Sequence, residues 1–244
     1  HIAIVGGERV RIQLADDLKE ERSHSVSLSA DLYHTFGKVQ TNLLVEGFYT
    51  ILDDVFALRD MDDAADGGKV KERYNGSGAT VRGFNVEGRA AFTRWFELQA
   101  GVTLQQSRYR EPEYWSEDAE VPPVRRMFRT PDAYGYFTAS FKPVRNFTAD
   151  LSGTCTGSML VQHIAGSGVG QDVAVSTPSF FDMNVRLSYD LRIYKEITMQ
   201  LYGGVQNLFN AYQKDFDKGV DRDSGYIYGP SLPRSWFVGA KFSF

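Results

Sequence analysis

The sequence predicts an all-β chain whose antiparallel, up-and-down strands belong to a transmembrane β-barrel. Nine segments alternate between apolar and polar residues, as the two faces of a β-strand require. Short and long connections alternate strictly between these segments. No run approaches the ~18 apolar residues of a membrane-spanning helix. Together these observations favour strands rather than helices as the elements that cross a bilayer.

The predicted strands follow one another from residue 23 to the C-terminus. Their expected bounds are Ser23–His34, Val39–Leu52, Ala79–Phe92, Phe96–Tyr109, Ala133–Phe141, Asn146–Ser158, Phe180–Leu191, Glu196–Phe209 and Ser235–Phe244. Each strand has one apolar face and one face that carries charged, hydroxyl or amide groups. We expect residues 1–22 to form an extracellular loop that leads into the barrel, and residues 23–244 to form the C-terminal part of the barrel.

The connections between the predicted strands sort by length. Short turns are expected near residues 35–38, 93–95, 142–145 and 192–195, and long loops near 53–78, 110–132, 159–179 and 210–234. In an antiparallel meander this alternation places all short turns at one end and all long loops at the other. Bacterial outer-membrane barrels have short periplasmic turns and long extracellular loops. We therefore expect the long loops to be extracellular and the C-terminus to be periplasmic.

The number of strands indicates an incomplete barrel. Single-chain bacterial barrels have an even number of strands, and an open sheet in lipid would leave two unpaired edges. We expect the chain to supply about nine C-terminal strands of a larger barrel, whose earlier strands lie outside this chain or on another chain. A structure in which these residues alone close a barrel would contradict this expectation.

Composition narrows the functional classes. The net charge is −4 and no basic stripe is present, which argues against nucleic-acid binding. Cys155 is the single cysteine, so the chain has no internal disulfide. Mean hydropathy is −0.33, as in soluble proteins, but polar lumen-facing residues lower this average in membrane barrels. A tyrosine-rich soluble β-sandwich therefore stays open as an alternative. The sequence starts at His1 without the charged and apolar regions of a signal peptide, and we expect either a processed precursor or a piece of a longer protein.

Several segments carry a resemblance to one family, the TonB-dependent outer-membrane transporters. Leu18–Ser23 is similar to the family's Leu-Lys-Pro-Glu segment, with Glu20 in place of proline, and Arg82–Gly88 resembles its Gly-x-Glu strand motif. Gln206–Asn210 resembles the family's Asn-Leu-Phe-Asp/Asn element, and Tyr226–Ser235 is similar to versions from the Bacteroides-like lineage. The last strand resembles the outer-membrane assembly signal, with its apolar face formed by Trp236, Val238, Ala240, Phe242 and Phe244.

The resemblance implies a barrel of about 22 strands, closed by an N-terminal plug domain that is absent from this chain. It also implies a set of partners. These are outer-membrane lipid, the plug and earlier strands, the TonB energy-coupling protein acting through the plug, the barrel assembly machinery, and a surface lipoprotein. No nucleic acid is expected. The implied location is the outer membrane of a Gram-negative bacterium.

Candidate ligand-binding residues lie in the long loops. Tyr114, Trp115, Tyr226 and Tyr228 concentrate aromatic rings that could stack on a large planar ligand or a lipoprotein lid, and His163 could contact a haem or a corrinoid. The alternatives are packing between loops and, for His163, an ordinary polar loop residue. No catalytic motif of the HExxH or GxSxG type occurs, so an enzyme is not expected.

One loop carries carboxylates at alternate positions around a glycine. Asp215, Asp217, Asp221 and Asp223 flank Gly219, and calcium prefers such flexible oxygen clusters. The spacing is not that of an EF-hand, and a solvated loop is the alternative. No cofactor is expected other than a structural calcium ion in these loops. On the predicted strands, inward charges are expected to form networks on the barrel wall: Glu46, Glu87, Arg89, Asp150, Asp182 and Arg186.

The function that this resemblance implies is active uptake of a large, scarce nutrient through a plugged barrel. The nutrient classes are a corrinoid such as cobalamin, an iron chelate such as a siderophore complex, haem, and a glycan. A passive porin or an adhesin barrel is the alternative within membrane proteins. A soluble β-sandwich binding module is the alternative outside them.

Overall fold

A computed structural model describes residues 2–5, 8–61, 69–92, 94–116, 118–194, 197–230 and 232–243. These residues form strands and loops. The strands are β1 (Ile2–Val5), β2 (Glu8–Leu14), β3 (Arg22–Phe36), β4 (Val39–Asp53), β5 (Phe56–Met61), β6 (Lys69–Asn75), β7 (Ala79–Phe92), β8 (Phe96–Glu113), β9 (Val124–Arg126), β10 (Ala133–Phe141), β11 (Phe147–Thr156), β12 (Leu160–His163), β13 (Val173–Ser176), β14 (Phe180–Tyr194), β15 (Ile197–Gln206) and β16 (Ser235–Ser243). The part of the chain that the structure describes contains no helix long and apolar enough to cross a membrane.

Nine strands form one antiparallel meander, which confirms the predicted fold class. Their order across the sheet is β16-β15-β14-β11-β10-β8-β7-β4-β3, and β9 pairs with β8 beside this path. The predicted strand bounds agree with the structure to within a few residues. The sheet runs from β3 to β16, and within the described ranges these two edge strands do not pair with each other. The described residues therefore form an open part of a barrel wall.

The end of β15 corrects one predicted bound. The strand was expected to continue to Phe209, but it ends at Gln206 because Asn207 adopts a left-handed backbone with φ of 49°. The Asn207 side chain donates to the carbonyl oxygens of Ala211 (3.1 Å) and Leu232 (3.0 Å). These bonds fix the start of the loop that leads to β16.

Strand register places most apolar residues of the sheet on one face, although Leu44, Phe48 and Phe237 lie on the other. Val45 lies opposite Val86, which lies opposite Val102 on the next strand. Farther along the sheet, Val205 lies opposite both Val185 and Trp236. Residues in direct register point to the same side of a sheet, so the apolar residues form one continuous surface. This surface is open to the surroundings in the described chain, which suits contact with lipid.

The opposite face carries a hydrogen-bonded polar network that includes five of the six predicted inward charges, whereas Oδ1 of the sixth, Asp182, is buried without a hydrogen-bond partner. Asn85 links Glu46 and Thr103 across three strands, at 2.8 Å on each side. Farther along the sheet Glu87 accepts from Gln99 (2.8 Å) and from the Tyr136 hydroxyl (2.7 Å). Other members of the network are Arg89 with Gln99, Ser140 with Asp150, and Gln200 with Arg186 and Asp190. The two faces therefore differ in polarity along the whole sheet.

A second, smaller sheet corrects the expectation for residues 1–22 and 53–78, which were predicted as loops. Its order is β1-β2-β6-β5. The strand β2 pairs with β6 in parallel, and β6 pairs with β5 as a hairpin. These strands are short and their pairing is partly long-range, so the local sequence pattern does not reveal them. The loop after β11 also contains a short hairpin, β12-β13.

Candidate functional site

Three long connections meet at one end of the sheet. They are loop A (residues 114–132), loop B (157–179) and loop C (207–234). Loop A contacts loop B through the Arg129 amide, which donates to the Leu160 carbonyl at 2.8 Å. Loop B contacts loop C through the Ser167 amide, which donates to the Asp221 carbonyl at 2.9 Å. The three loops therefore form one connected cap at this end.

Loop C is organised by a buried glutamine that the sequence pattern did not indicate. Gln213 is 1% exposed, and its side-chain amide donates to the Tyr226 carbonyl at 3.0 Å. Its side-chain oxygen accepts from the Tyr228 amide at 2.9 Å. Arg129 of loop A donates to the carbonyl oxygens of Ile227 (2.7 Å) and Gly225 (2.5 Å). These side chains replace the backbone ladder that a strand would supply.

Two tyrosines of loop C donate hydrogen bonds to one carboxylate. The Tyr226 hydroxyl donates to Asp215 Oδ2 at 3.1 Å, and the Tyr228 hydroxyl donates to Asp215 Oδ1 at 2.6 Å. Burial and these bonds to Asp215 raise the pKa of Tyr226 to about 12, and the same causes raise the pKa of Tyr228. Burial acts to raise the pKa of Asp215, but the hydrogen bonds from the two phenols, from the backbone and from Gln213 together hold that pKa below its usual value. Both phenols are therefore protonated at neutral pH and Asp215 is ionised.

His163 of loop B joins this arrangement. Its ring stacks on Tyr226, with ring centroids 3.7 Å apart and planes within 7° of parallel. Its Nε2 lies 3.0 Å from Asp217 Oδ1, and both side chains are almost fully buried. Burial acts to raise the pKa of Asp217, but the hydrogen bonds from His163 and from the Asp223 amide outweigh it and lower that pKa. We call His163, Asp215, Asp217, Tyr226 and Tyr228 the His-Asp-Tyr cluster.

The structure thus brings together three of the predicted ligand-binding residues, His163, Tyr226 and Tyr228. The other two lie apart from them. Trp115 donates to the Pro122 carbonyl at 3.3 Å and packs edge-on against Phe128, at 5.3 Å between ring centroids. Tyr114 is 73% exposed. Both line a cavity of about 270 Å³ between loop A and the β5–β6 hairpin. Trp115 therefore also serves to pack the loops.

The predicted calcium ligands do not converge as a carboxylate group. Asp215 and Asp217 are engaged by the phenols and by His163, and Asp223 accepts from the amides of Ile164 (2.9 Å) and Gly225 (2.8 Å). Asp221 contributes its backbone carbonyl to loop B. Within the described ranges no three His, Cys, Asp or Glu side chains are arranged to hold a metal ion. The calcium site stays a prediction.

The predicted assembly signal forms the edge strand β16. It pairs with β15 on one side, and Trp236, Val238 and Phe242 are exposed on the apolar face together with Ala240. Phe244 lies outside the described residues. Recognition by the assembly machinery stays a prediction.

Solved structures share this fold. The ferric-catecholate import receptor Fiu from E. coli K12, in its closed form, is 18% identical with a TM-score of 0.63, covering 93% of this chain and 28% of that chain. The iron transporter FrpB from Neisseria meningitidis is 16% identical with a TM-score of 0.57, covering 96% and 33%. The copper transporter OprC is 17% identical with a TM-score of 0.59, covering 94% and 32%. At these identities the likeness shows the fold alone. The chain spans about a third of the length of these structures.

Family assignment comes from a match over most of the chain. No curated protein matches this sequence. A family model described as "TonB dependent receptor-like, beta-barrel" matches residues 5–208. That family consists of outer-membrane transporters, which are not enzymes. With its two-faced antiparallel sheet and this match, the chain belongs to the TonB-dependent receptor β-barrel family.

Proposed function

We propose that this chain forms the C-terminal wall of a transporter that takes up a metal chelate across the outer membrane, driven by the TonB protein. The observation that carries the proposal is the two-faced nine-stranded sheet in a chain of this family. Its apolar face would contact lipid, while its polar network would face the lumen and the plug. Loops A, B and C would then be extracellular and the short turns periplasmic.

A metal chelate is the cargo class that the neighbouring structures favour. Two of them are a ferric-catecholate receptor and an iron transporter, and a third transports copper. Tyr114 adds an exposed aromatic ring in loop A, which suits contact with a planar chelate. Cobalamin and haem stay as predicted alternatives for the cargo. A surface lipoprotein partner and the Bacteroides-like origin of residues 226–235 also stay predictions.

Uptake by cells tests this proposal. The full-length protein would be expressed in a Gram-negative host that lacks its own ferric-chelate receptors, and uptake of radioactive iron as a catecholate complex would be measured. We expect accumulation that disappears when the TonB gene is deleted, because the plug opens only when it is pulled. A parallel assay with radioactive cobalamin distinguishes the two cargo classes.

The alternatives give different outcomes in the same cells. A passive porin would admit small solutes equally with and without TonB, and it would show steady conductance in planar bilayers. An adhesin barrel would accumulate neither ligand. Iron uptake that is independent of TonB, or no uptake by cells that carry the assembled protein, would refute the proposal.

A further inference from the structure

The cavity of about 270 Å³ between loop A and the β5–β6 hairpin is lined largely by aromatic rings. These rings belong to Phe56, Tyr109, Tyr114, Trp115 and Phe128. Trp115 and Phe128 meet with their planes at 67°, so the two rings form a corner of the cavity wall. In the described part of the chain, no lysine or arginine lies over either of these two rings.

Glu113 adds one carboxylate to this aromatic lining. Its side chain is half-buried, and among the described residues it has one hydrogen-bond partner, the Tyr74 hydroxyl, at a long 3.4 Å. No lysine or arginine within the same ranges forms an ion pair with it. Burial raises the pKa of Glu113, as expected for a carboxylate without a counter-charge. The described cavity therefore contains an anionic group that no cation balances.

Aromatic faces beside a carboxylate are the groups that recognise an organic ammonium ion. The negative π faces of the rings attract a cation, and the carboxylate supplies the opposite charge. We propose that this cavity binds a small organic ammonium cation, whose head group lies against Trp115 and Phe128 and beside Glu113. A hard metal ion would need several oxygen ligands, whereas Glu113 is the one carboxylate in the described lining.

The neighbouring hairpin already uses the same interaction. The Arg59 guanidinium lies 4.9 Å from the centroid of the Tyr74 ring, and that of Arg73 lies 5.8 Å from the centroid of Phe56. These two contacts involve rings of β5 and β6 and leave the Trp115–Phe128 corner for a ligand.

The size of the cavity limits the ligand to a small one. Pockets that enclose drug-sized molecules measure about 300–1,000 Å³. A cavity of about 270 Å³ therefore suits a head group such as trimethylammonium rather than a whole metal chelate. The site is thus separate from the cargo of the proposed transport, and binding of the cation does not depend on uptake.

Calorimetric titration of the purified, full-length protein with choline tests the site. The protein would be held in an alkyl-maltoside detergent, which carries no ammonium group. We expect saturable binding with a Kd of about 1 mM or tighter, from a few cation–π contacts and one ion pair. The uncharged analogue dimethylbutanol, in which carbon replaces the nitrogen, should bind about tenfold more weakly or worse, because it loses the attraction to the carboxylate.

Three variants examine the lining. Glu113→Gln removes the charge at nearly the same shape and should weaken choline binding about tenfold or more. Trp115→Leu keeps an apolar side chain and should weaken it about two- to fivefold, the value of one cation–π contact. Gly76→Ala should also weaken binding, because its methyl group would lie 3.7 Å from Glu113 Oε2, at an ordinary contact distance that permits folding. Glu111→Gln is the matched control, because this exposed glutamate lies on the same strand outside the cavity lining, and it should keep the wild-type affinity.

Three results would overturn the proposal. They are no saturable binding by assembled wild-type protein, equal affinity for dimethylbutanol, and unchanged affinity in Glu113→Gln. Assembly is checked by the heat-dependent shift of the barrel on denaturing gels. If Trp115→Leu disturbs the packing of loop A, Glu113→Gln decides, because glutamine keeps the volume of glutamate.

Vesicles distinguish a soluble cation from a lipid head group. Because the cavity lies among the long loops, choline should bind equally in vesicles of phosphatidylcholine and of phosphatidylglycerol. Weaker binding in phosphatidylcholine would show that a lipid head group competes for the site, and it would overturn a soluble ligand. Choline binding without iron uptake refutes the proposed function only, and uptake without choline binding refutes this site only.

Discussion

The nine-stranded sheet and the His-Asp-Tyr cluster are held together by different kinds of contact. In the sheet one pairing rule repeats, so that Val86 faces Val45 and Val102 by register alone. In the cluster each contact is individual: Gln213 connects the backbones of Tyr226 and Tyr228, and Asp215 connects their hydroxyls. Repetition spreads stability over many residues, whereas individual contacts concentrate it in a few. Single substitutions in the loops should therefore have local effects. In the sheet, the effect of a substitution should depend on whether the residue lies on the apolar or the polar face.

The largest expected effect comes from a charge on the apolar face of the sheet. Val102→Arg should destabilise the full-length protein in lipid vesicles by about 2–4 kcal/mol, because arginine is costly near the bilayer midplane. Its neighbour Thr103 lies on the polar face and donates to Asn85 at 2.8 Å. Thr103→Arg should cost only about 0.5–1.5 kcal/mol, the value of one hydrogen bond. Denaturant unfolding followed by tryptophan fluorescence measures both.

This pair of variants examines the assignment of the two faces. Equal destabilisation by Val102→Arg and Thr103→Arg would mean that the apolar surface does not face lipid. A larger loss for Thr103→Arg would reverse the assignment. Because the two residues are adjacent on β8, they lie at nearly the same depth, so depth does not confound the comparison.

The same contrast explains how much the sequence could predict. The bounds of β7, Ala79–Phe92, were predicted to the residue, because alternation is a local property with a period of two residues. Pairing of the strands followed from their order and from short turns. The parallel pairing of β2 with β6 escaped prediction, because both strands are short and far apart in the chain. Local patterns reveal strands but not distant partners.

The cluster could be predicted only as a set of candidates. His163, Tyr226 and Tyr228 were selected as ligand-binding residues, but nothing local indicated that His163 would stack on Tyr226. The spacing of the carboxylates from Asp215 to Asp223 predicted a calcium site, whereas in the structure Asp215 accepts hydrogen bonds from two phenols. No sequence pattern marks Gln213 as important, because its role comes from its burial and from its hydrogen bonds to backbone groups of residues 226 and 228. Such contacts depend on three-dimensional placement.

The intermediate effect is expected in loop C. Gln213→Ala leaves the Tyr226 carbonyl and the Tyr228 amide without their partner, at a cost of about 1–3 kcal/mol for each buried group. Because the sheet is built independently of this contact, the loss should be confined to the loop. Hydrogen–deuterium exchange of the full-length protein should show faster exchange at residues 213–228 and unchanged exchange in β14 and β15.

A glutamine in another loop provides the control for this prediction. Gln171 donates to Asp118 at 2.8 Å on the exposed surface, so Gln171→Ala should leave exchange nearly unchanged. Faster exchange throughout the sheet in Gln213→Ala would contradict the separation of loop and sheet. Unchanged exchange at residues 213–228 would show that Gln213 does not organise the loop.

The smallest effect is the response of the cluster to alkaline pH. Burial and the hydrogen bond to Asp215 raise the pKa of Tyr226 from 10.0 to about 12, so the stability that depends on its neutral hydroxyl is complete below pH 10 and is lost as the pH rises through about 12. The difference in phenolate absorbance between wild type and Tyr226→Phe should therefore appear about two pH units above that of N-acetyltyrosinamide. The loops should lose protection from proteases over the same range, while the barrel keeps its gel shift. A difference that appears at the pH of the free amide would mean that Tyr226 is neither buried nor hydrogen-bonded to Asp215 as the structure shows.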